Sequence, residues 1–150
     1  MEVDRMAASW AFQRSIVRAP AGESGPIEAP TILVVEDEWL IRSALSADLR
    51  SRRYRVIEAR DADEALAVLK TDIKIDVVVT DVVMPGTLDG VALAQWIGRE
   101  RPALHVILAT AVNTTRNGSP LDSYGRLVSK PYDFAEIAWI IEAALANRDP

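Results

Sequence analysis

Residues 76–81 read D-V-V-V-T-D, three valines enclosed by polar residues. Residues 31–38 read T-I-L-V-V-E-D-E and have the same form, because an apolar, mostly β-branched run leads directly into acidic residues. Neither run alternates between apolar and polar positions, so neither offers a solvent-facing side. Such strands predict a parallel sheet that is covered by helices on both faces.

Further segments of the same two kinds follow each other along the chain. The predicted strands are residues 31–35, 55–59, 76–80, 105–109 and 126–129, and the predicted helices are residues 39–49, 61–69, 89–98 and 134–147. This alternation predicts an α/β fold with a doubly wound five-stranded parallel sheet and (βα)5 topology. The flavodoxin-like strand order 2-1-3-4-5 is the simplest arrangement of these elements.

The segment Val112–Gly125 lies where this topology requires the fourth helix. It contains Asn-Gly and Ser-Pro pairs and few apolar residues, which is typical of turns. We therefore expect this helix to be short, displaced or mobile. A tolerated surface deletion and a switch region that folds on activation are equally good explanations.

The first thirty residues differ in composition from residues 31–150, which form the predicted domain. Residues 19–30 are rich in Pro, Gly, Ala and Glu, as linkers are. Met6–Arg18 contains enough apolar residues for a short helix that docks on a partner. A disordered tail or linker is the interpretation we prefer for residues 1–30.

The composition excludes several classes of protein. The chain has 150 residues, a net charge of −5 and no cysteine, so disulfides and thiolate chemistry are excluded. Its arginines are scattered rather than clustered, so we expect no nucleic-acid partner. No apolar run has the length of a membrane span, and the N-terminus lacks a secretory signal. We expect a cytoplasmic protein with no membrane contact.

Polar residues that suit phosphoryl chemistry stand at the carboxyl ends of four predicted strands. Glu36 and Asp37 follow the first strand, Asp81 the third, Thr110 the fourth and Lys130 the fifth. Ligands of doubly wound sheets bind at this edge, so we expect the five side chains to converge there. Acids after strands also cap helices, but capping requires no lysine opposite them.

The three carboxylates make a hard-oxygen site suited to Mg²⁺. Beside that metal, Asp81 can be an ionised nucleophile that attacks phosphorus and forms an acyl phosphate. Thr110 and Lys130 would then supply a hydroxyl and an ammonium group for the other phosphoryl oxygens. For Glu38, which follows the acidic pair, we accept helix capping as the role.

Four motifs carry a resemblance to a known family. The sequences V-V-E-D-E (34–38), V-V-T-D-V-V-M-P-G-T-L-D-G (78–90), L-A-T-A (108–111) and V-S-K-P-Y (128–132) occur in this order. Together they resemble the receiver domain of two-component response regulators, of the single-domain, chemotaxis type. The resemblance implies that Glu36 and Asp37 are the acidic pair, Asp81 the phosphoacceptor, Thr110 the switch hydroxyl and Lys130 the phosphate-binding lysine.

The resemblance also assigns roles to three further positions. The backbone carbonyl of Val83 would be the remaining protein ligand of Mg²⁺, and Pro131 would follow a cis peptide bond. The family often has an aromatic switch residue where this chain has Leu127. The usual coupling between the switch hydroxyl and an aromatic ring therefore has no aromatic partner at residue 127 of this chain.

The function implied is a stand-alone response regulator rather than an enzyme. A sensor histidine kinase or a histidine phosphotransferase would donate the phosphoryl group, and the signal would pass by protein contact to an unknown effector. One alternative is a receiver that acts without phosphorylation. Another is a haloacid-dehalogenase-like, Mg²⁺-dependent phosphohydrolase, although that family places its nucleophile in a D-x-D motif after the first strand, where this chain has E-D-E.

The last helix offers a candidate interface. Phe134, Ile137, Ala138, Ile141 and Leu145 fall on one side of a helix and should face the sheet. A second group is predicted to point outward and to bind a second copy of the chain or an effector: Trp139, Ile140 and Ala143. Trp39 and Trp96 lie on apolar helix faces and are predicted to be packing residues.

Overall fold

The computed structural model describes residues 27–111 and 120–147. The strands are β1 (Thr31–Val35), β2 (Arg55–Ala59), β3 (Val77–Asp81), β4 (His105–Thr110) and β5 (Arg126–Ser129). The helices are α1 (Trp39–Ser51), α2 (Ala62–Leu69), α3 (Gly90–Glu100) and α4 (Phe134–Ala146). Each predicted strand and helix is present, and the largest differences are two extra residues at the carboxyl ends of α1 and α3. Residues 1–26 of the predicted tail, which runs over residues 1–30, lie outside the described residues, so the tail stays a prediction.

The five strands form one parallel sheet in the order β2-β1-β3-β4-β5. β1 lies between β2 and β3, with Leu33 opposite Ile57 on one side and Val78 on the other. The strand order reverses beside β1, so the carboxyl ends of β1 and β3 are neighbours at the edge where ligands bind. The predicted fold class and strand order are confirmed.

The core has one layer on each face of the sheet. Ile32 and Val34 belong to the layer that contains the buried residues of α1 and α4. Leu33 and Val35 belong to the layer that contains the buried residues of α2 and α3. Because alternate residues of β1 point to opposite faces, a strand covered on both sides is apolar throughout. This burial explains the unbroken apolar runs in the sequence.

Aspartates begin three of the four helices. Asp61, Asp89 and Asp133 accept hydrogen bonds from the backbone N–H groups of the first turns of α2, α3 and α4. Glu38 occupies the same position before α1 but makes no side-chain capping bond within the described chain. Its own backbone N–H instead donates to Glu36 Oε1 at 3.1 Å. The capping role accepted for Glu38 is therefore wrong, and its peptide helps to fix the buried Glu36 side chain.

The connection between β4 and β5 is only partly described. Pro120–Ser123 form a single 3₁₀ turn, and residues 112–119 lie outside the described part of the chain. The Gln95 amide donates to the Tyr124 hydroxyl at 3.1 Å and links α3 to the start of β5. The described part of this connection contains no α-helix, in line with the weak helix signal, whereas the prediction for residues 112–119 is untested.

Helix α4 confirms part of the predicted outer surface and corrects the rest. Trp139 is 62% exposed and Ala143 is exposed, but Ile140 is only 7% exposed. Ile140 lies three residues after Ile137 on the helix and joins the same core layer. Ile140 therefore cannot belong to the interface, because the buried face of α4 is wider than the predicted stripe.

The two helical tryptophans of the predicted core differ. Trp96 of α3 packs against the core layer of α2 and α3, as predicted. Trp39, the first residue of α1, is 63% exposed, so its packing role is wrong. Within residues 27–111 and 120–147, no helix combines the length and apolar character that a membrane span requires.

Arg53→Gly is expected to raise the free energy of unfolding by about 0.5–1 kcal/mol. Arg53 is exposed and follows α1 with a φ of 72°, a left-handed conformation that costs an L side chain energy and costs glycine none. Chemical denaturation of this variant beside Arg53→Ala measures the effect. A glycine variant less stable than the alanine variant would contradict the prediction.

Candidate functional site

Three carboxylates meet where β1 and β3 end. One oxygen each of Glu36, Asp37 and Asp81 lies within 4.8 Å of the others. Glu36 is 3% exposed, whereas Asp37 is exposed and Asp81 is partly buried. The cluster forms because β1 and β3 are adjacent and parallel, so their last residues come to the same edge of the sheet. The structure thus brings the three predicted acids together.

Lys130 reaches this cluster from the end of β5. Its Nζ donates to Asp81 Oδ2 at 2.8 Å and to Glu36 Oε2 at 2.9 Å. Burial opposes the charge of the ammonium group, but these two hydrogen bonds and the charges of the two carboxylates outweigh it and raise the pKa of Lys130 above its ordinary value. Lys130 is therefore a positively charged group held in contact with Glu36 and Asp81.

The surroundings of Glu36 shift the pKa of its carboxyl group in opposite directions. Burial is the largest influence and raises the pKa of this carboxyl above its usual value. Hydrogen bonds from Lys130 and from the backbone N–H of Glu38 lower it, but they do not overcome burial. Burial therefore disfavours the ionised form of the Glu36 carboxyl. A cation bound beside it would offset this desolvation cost.

Thr110 and Pro131 complete the predicted edge. Thr110 is 2% exposed at the end of β4, and its carbonyl accepts from the backbone N–H of Lys130 at 2.8 Å. This hydrogen bond between the ends of β4 and β5 brings the backbones of the two residues together. The Lys130–Pro131 peptide is cis, as the resemblance implied.

The predicted Val83 and Leu127 positions lie in the loop after β3 and within β5, respectively. Val83 is 72% exposed in the loop after β3, beside the phosphoacceptor candidate Asp81. Leu127 is partly buried and packs against the core layer of α2 and α3. A leucine in this layer has no polar tip that would require a solvent-exposed position.

The residues at the edge fit a hard divalent cation. Three carboxylates within 4.8 Å of one another are the oxygen ligands that Mg²⁺ prefers. One of the three, Glu36, is nearly fully buried, and among the described residues the ammonium group of Lys130 faces two of the acids. The negative charge of the cluster therefore exceeds the positive charge that Lys130 supplies, and a cation is chemically suited to the site.

Sequence reasoning missed two features beside the site. Arg42 of α1 donates from Nη1 to the Glu36 carbonyl oxygen at 2.8 Å. An apolar cavity of about 530 Å³ lies against Lys130, with Leu40, Tyr132 and Phe134 among its lining residues. The spacing of Arg42 and Glu36 gives no sign of their contact, because it depends on how α1 packs on the sheet.

Tyr132 links the cavity to the charged cluster. Its ring lies 6.3 Å from that of Phe134, centroid to centroid. Burial, followed by the negative charge of Glu36, raises the pKa of the Tyr132 hydroxyl to about 12. The hydroxyl therefore stays neutral at physiological pH and adds no charge to the site.

Comparisons with known proteins agree with the geometry. A family model described as the response regulator receiver domain matches residues 32–142. The chain is 31% identical over 122 residues to sensor kinase CckA of Brucella abortus, which covers 79% of this chain and 13% of CckA. It is 34% identical over 119 residues to the transcriptional regulatory protein ResD of Bacillus subtilis, which covers 76% of this chain and 47% of ResD. The chain thus spans less than half the length of these curated relatives.

Solved structures show the same fold. The receiver domain of the Francisella response regulator 1452 superimposes with a TM-score of 0.72 at 25% identity, covering 78% of this chain and 97% of that chain. The response regulator protein TrrA from Thermotoga maritima in complex with Mg²⁺-BeF gives a TM-score of 0.68 at 28% identity, covering 77% and 98%. With the family match over residues 32–142, the chain belongs to the response regulator receiver domain family.

Proposed function

We propose that Asp81 accepts a phosphoryl group from a phosphohistidine of a sensor histidine kinase or a histidine phosphotransferase. The observation that carries the proposal is the contact of Asp81 Oδ2 with Lys130 Nζ at 2.8 Å, inside a cluster of three carboxylates. A carboxylate beside a fixed cation at a strand end can act as a nucleophile toward a phosphoryl group.

Receiver domains bind Mg²⁺ at an acidic pocket, and this chain has such a pocket. Glu36, Asp37 and Asp81 would hold the ion together with the backbone carbonyl of Val83. A bound Mg²⁺ would offset the negative charge of the carboxylates and of the incoming phosphoryl oxygens. Burial raises the pKa of Glu36, so a bound cation would stabilise its ionised form, which supports this assignment.

Asp81, Lys130 and Thr110 have different roles in the proposed phosphoryl transfer. An Asp81 carboxylate oxygen attacks phosphorus in line, and the bond between phosphorus and the imidazole nitrogen of the donor breaks with its electron pair left on nitrogen. A carboxylate has no proton to lose, so the attack needs no general base. The Lys130 ammonium and the Thr110 hydroxyl then donate hydrogen bonds to the phosphoryl oxygens.

The apolar cavity beside Lys130 supports an approach by a donor protein from the side of α1. Its lining residues include Leu40, which is 57% exposed, and the neighbouring Trp39 is 63% exposed. Exposed apolar side chains around an apolar cavity are a feature of protein interaction sites. A phosphohistidine on a donor that covers this surface would lie close to Asp81.

The receiver domain then acts as a switch, and its output passes by protein contact to a downstream effector. Helix α4 offers a surface for that contact, because Trp139 and Ala143 are exposed on it. A second copy of the chain is the other partner that this surface would suit, which would make a homodimer. Large aromatic anchors next to small residues are typical of interfaces between helices.

The Asp81→Asn variant tests the phosphoacceptor. The parent protein, incubated with a small-molecule phosphodonor and Mg²⁺, is expected to gain the mass of one phosphoryl group. Asp81→Asn should gain none, because a neutral amide is a poor nucleophile. Intact-mass spectrometry followed by peptide mapping measures both, with the exposed, distant Asp72→Asn as a matched control.

Three results would contradict the assignment. Labelling of Asp81→Asn at the parent's rate would place the phosphoryl group elsewhere. A parent that is labelled neither by the small donor nor by any phosphorylated histidine donor would act without phosphorylation. Repeated release of phosphate from a phosphate ester would favour a hydrolase instead.

A further inference from the structure

Arg42 connects helix α1 to the acidic edge of the sheet. Its side chain is 20% exposed, and Nη1 donates to the carbonyl oxygen of Glu36 at 2.8 Å. The Glu36 N–H donates to the carbonyl of Ala59, the last residue of β2, at 3.1 Å. Both backbone groups of Glu36 are therefore held, one by the neighbouring backbone and one by a side chain of α1.

The guanidinium of Arg42 is itself held in place. Its Nε lies 3.4 Å from Glu58 Oε2 on β2, and Glu58 Oε1 lies 3.0 Å from Arg50 Nη1. Arg42 thus bridges β2 and the residue that follows β1. A planar guanidinium with several N–H groups can bind a carboxylate and a carbonyl together, which an ammonium group does less well.

We propose that Arg42 is a positioning residue for the cation site of Glu36, Asp37 and Asp81, an inference that rests on the function proposed above. The peptide between Glu36 and Asp37 is a rigid plane, so fixing the Glu36 carbonyl also fixes the point at which the Asp37 side chain leaves the backbone. Asp37 is exposed, so packing restrains its carboxylate little. Through this peptide, Arg42 orients a ligand that it does not touch.

The charge of Arg42 and its hydrogen bond predict opposite effects on cation binding. A positive charge near a cation site weakens binding by Coulomb repulsion, so removing the charge alone would strengthen Mg²⁺ binding. Removing a group that orients a ligand weakens metal binding, by about 10- to 100-fold in known sites. The sign of the change therefore separates positioning from a simple charge effect.

The test is a calorimetric titration of the full chain with Mg²⁺ alone. Arg42→Met keeps most of the aliphatic stem and is expected to weaken Mg²⁺ binding about tenfold. Arg42→Lys, which retains one donor group, should bind Mg²⁺ more tightly than Arg42→Met. Arg50→Met is the matched control, since it removes the other partner of Glu58 and leaves the Glu36 contact intact, and it should stay within about twofold of the parent.

Arg42→Met with an affinity equal to or above that of the parent would overturn the inference, and so would an equal loss in Arg50→Met. If circular dichroism shows Arg42→Met to be unfolded, Arg42→Gln replaces it with the same expected loss. Asp37→Asn separates this inference from the proposed function. A parent that binds no Mg²⁺, or an Asp37→Asn variant that binds like the parent, would remove the cation site itself, whereas unchanged binding in the Arg42 variants alone would remove only the positioning role.

Discussion

Gly90→Ala is expected to lower the free energy of unfolding by about 3 kcal/mol and to slow labelling of Asp81. A Cβ atom on Gly90 would overlap the backbone carbonyl oxygen of Asp81 and lie 2.9 Å from the Cα of Val82. These are backbone atoms, so no side chain can rotate away to relieve the overlap. The start of α3 would have to move, and the backbone of the phosphoacceptor candidate would move with it.

The same helix supplies the matched control for this substitution. Gly98 is exposed in α3, and no described atom beyond its own helical surroundings lies within 4 Å of an added Cβ. Gly98→Ala is therefore expected to raise the free energy of unfolding by about 0.5–1 kcal/mol, since alanine favours the helix. Urea denaturation measures both variants, and equal changes in the two would show that the close approach at Gly90 has no energetic cost.

The sequence predicts the sheet well because each strand is covered on both faces. Unbroken apolar runs such as residues 31–35 become strands wherever helices shield both sides, and the order follows from right-handed crossovers. Asp61 and Asp89 were predicted as the first helical residues, but they cap α2 and α3, which begin one residue later. The ends of α1 and α3 are less predictable, because their last residues lie on the surface where propensity and packing are both weak.

The same reasoning brings the five polar residues to one edge but does not predict their contacts. Strand order alone makes Glu36 and Asp81 neighbours, whereas the 2.8 Å and 2.9 Å contacts of Lys130 depend on the path of the chain after β5. The position of Ile140 was predicted wrongly for a similar reason. Helical periodicity gives the direction of a side chain, but the width of the buried face of α4 depends on the neighbouring α1 and sheet.

Lys130→Met is expected to lower the free energy of unfolding of the metal-free protein by about 2 kcal/mol at neutral pH and to slow labelling of Asp81 about 100-fold. The substitution leaves Glu36 and Asp81 without the ammonium group that both contact. Mg²⁺ should bind more tightly to the variant than to the parent, because a competing positive charge 2.8 Å from Asp81 is lost. Tighter Mg²⁺ binding together with slower labelling would separate the role of Lys130 toward phosphate from any role in holding the metal.

The stability loss in Lys130→Met should depend on pH through Glu36. Burial already raises the pKa of this carboxyl, and the variant loses the hydrogen bond from Lys130 that opposes the rise. A group whose pKa is raised on folding gives its full stability below the unfolded pKa and loses that contribution as pH rises through the folded pKa. The deficit of the variant should therefore be smallest at acidic pH, where Glu36 is protonated, and should grow as pH rises through the raised pKa of Glu36, while Lys130 of the parent stays charged throughout. Urea denaturation of both proteins without Mg²⁺, from acidic to neutral pH, measures the difference.

Lys130→Arg is the control. Because it keeps a cation beside Glu36 and Asp81, it should show little of this pH dependence. A deficit in Lys130→Met that is constant with pH would mean that Glu36 does not carry the uncompensated charge.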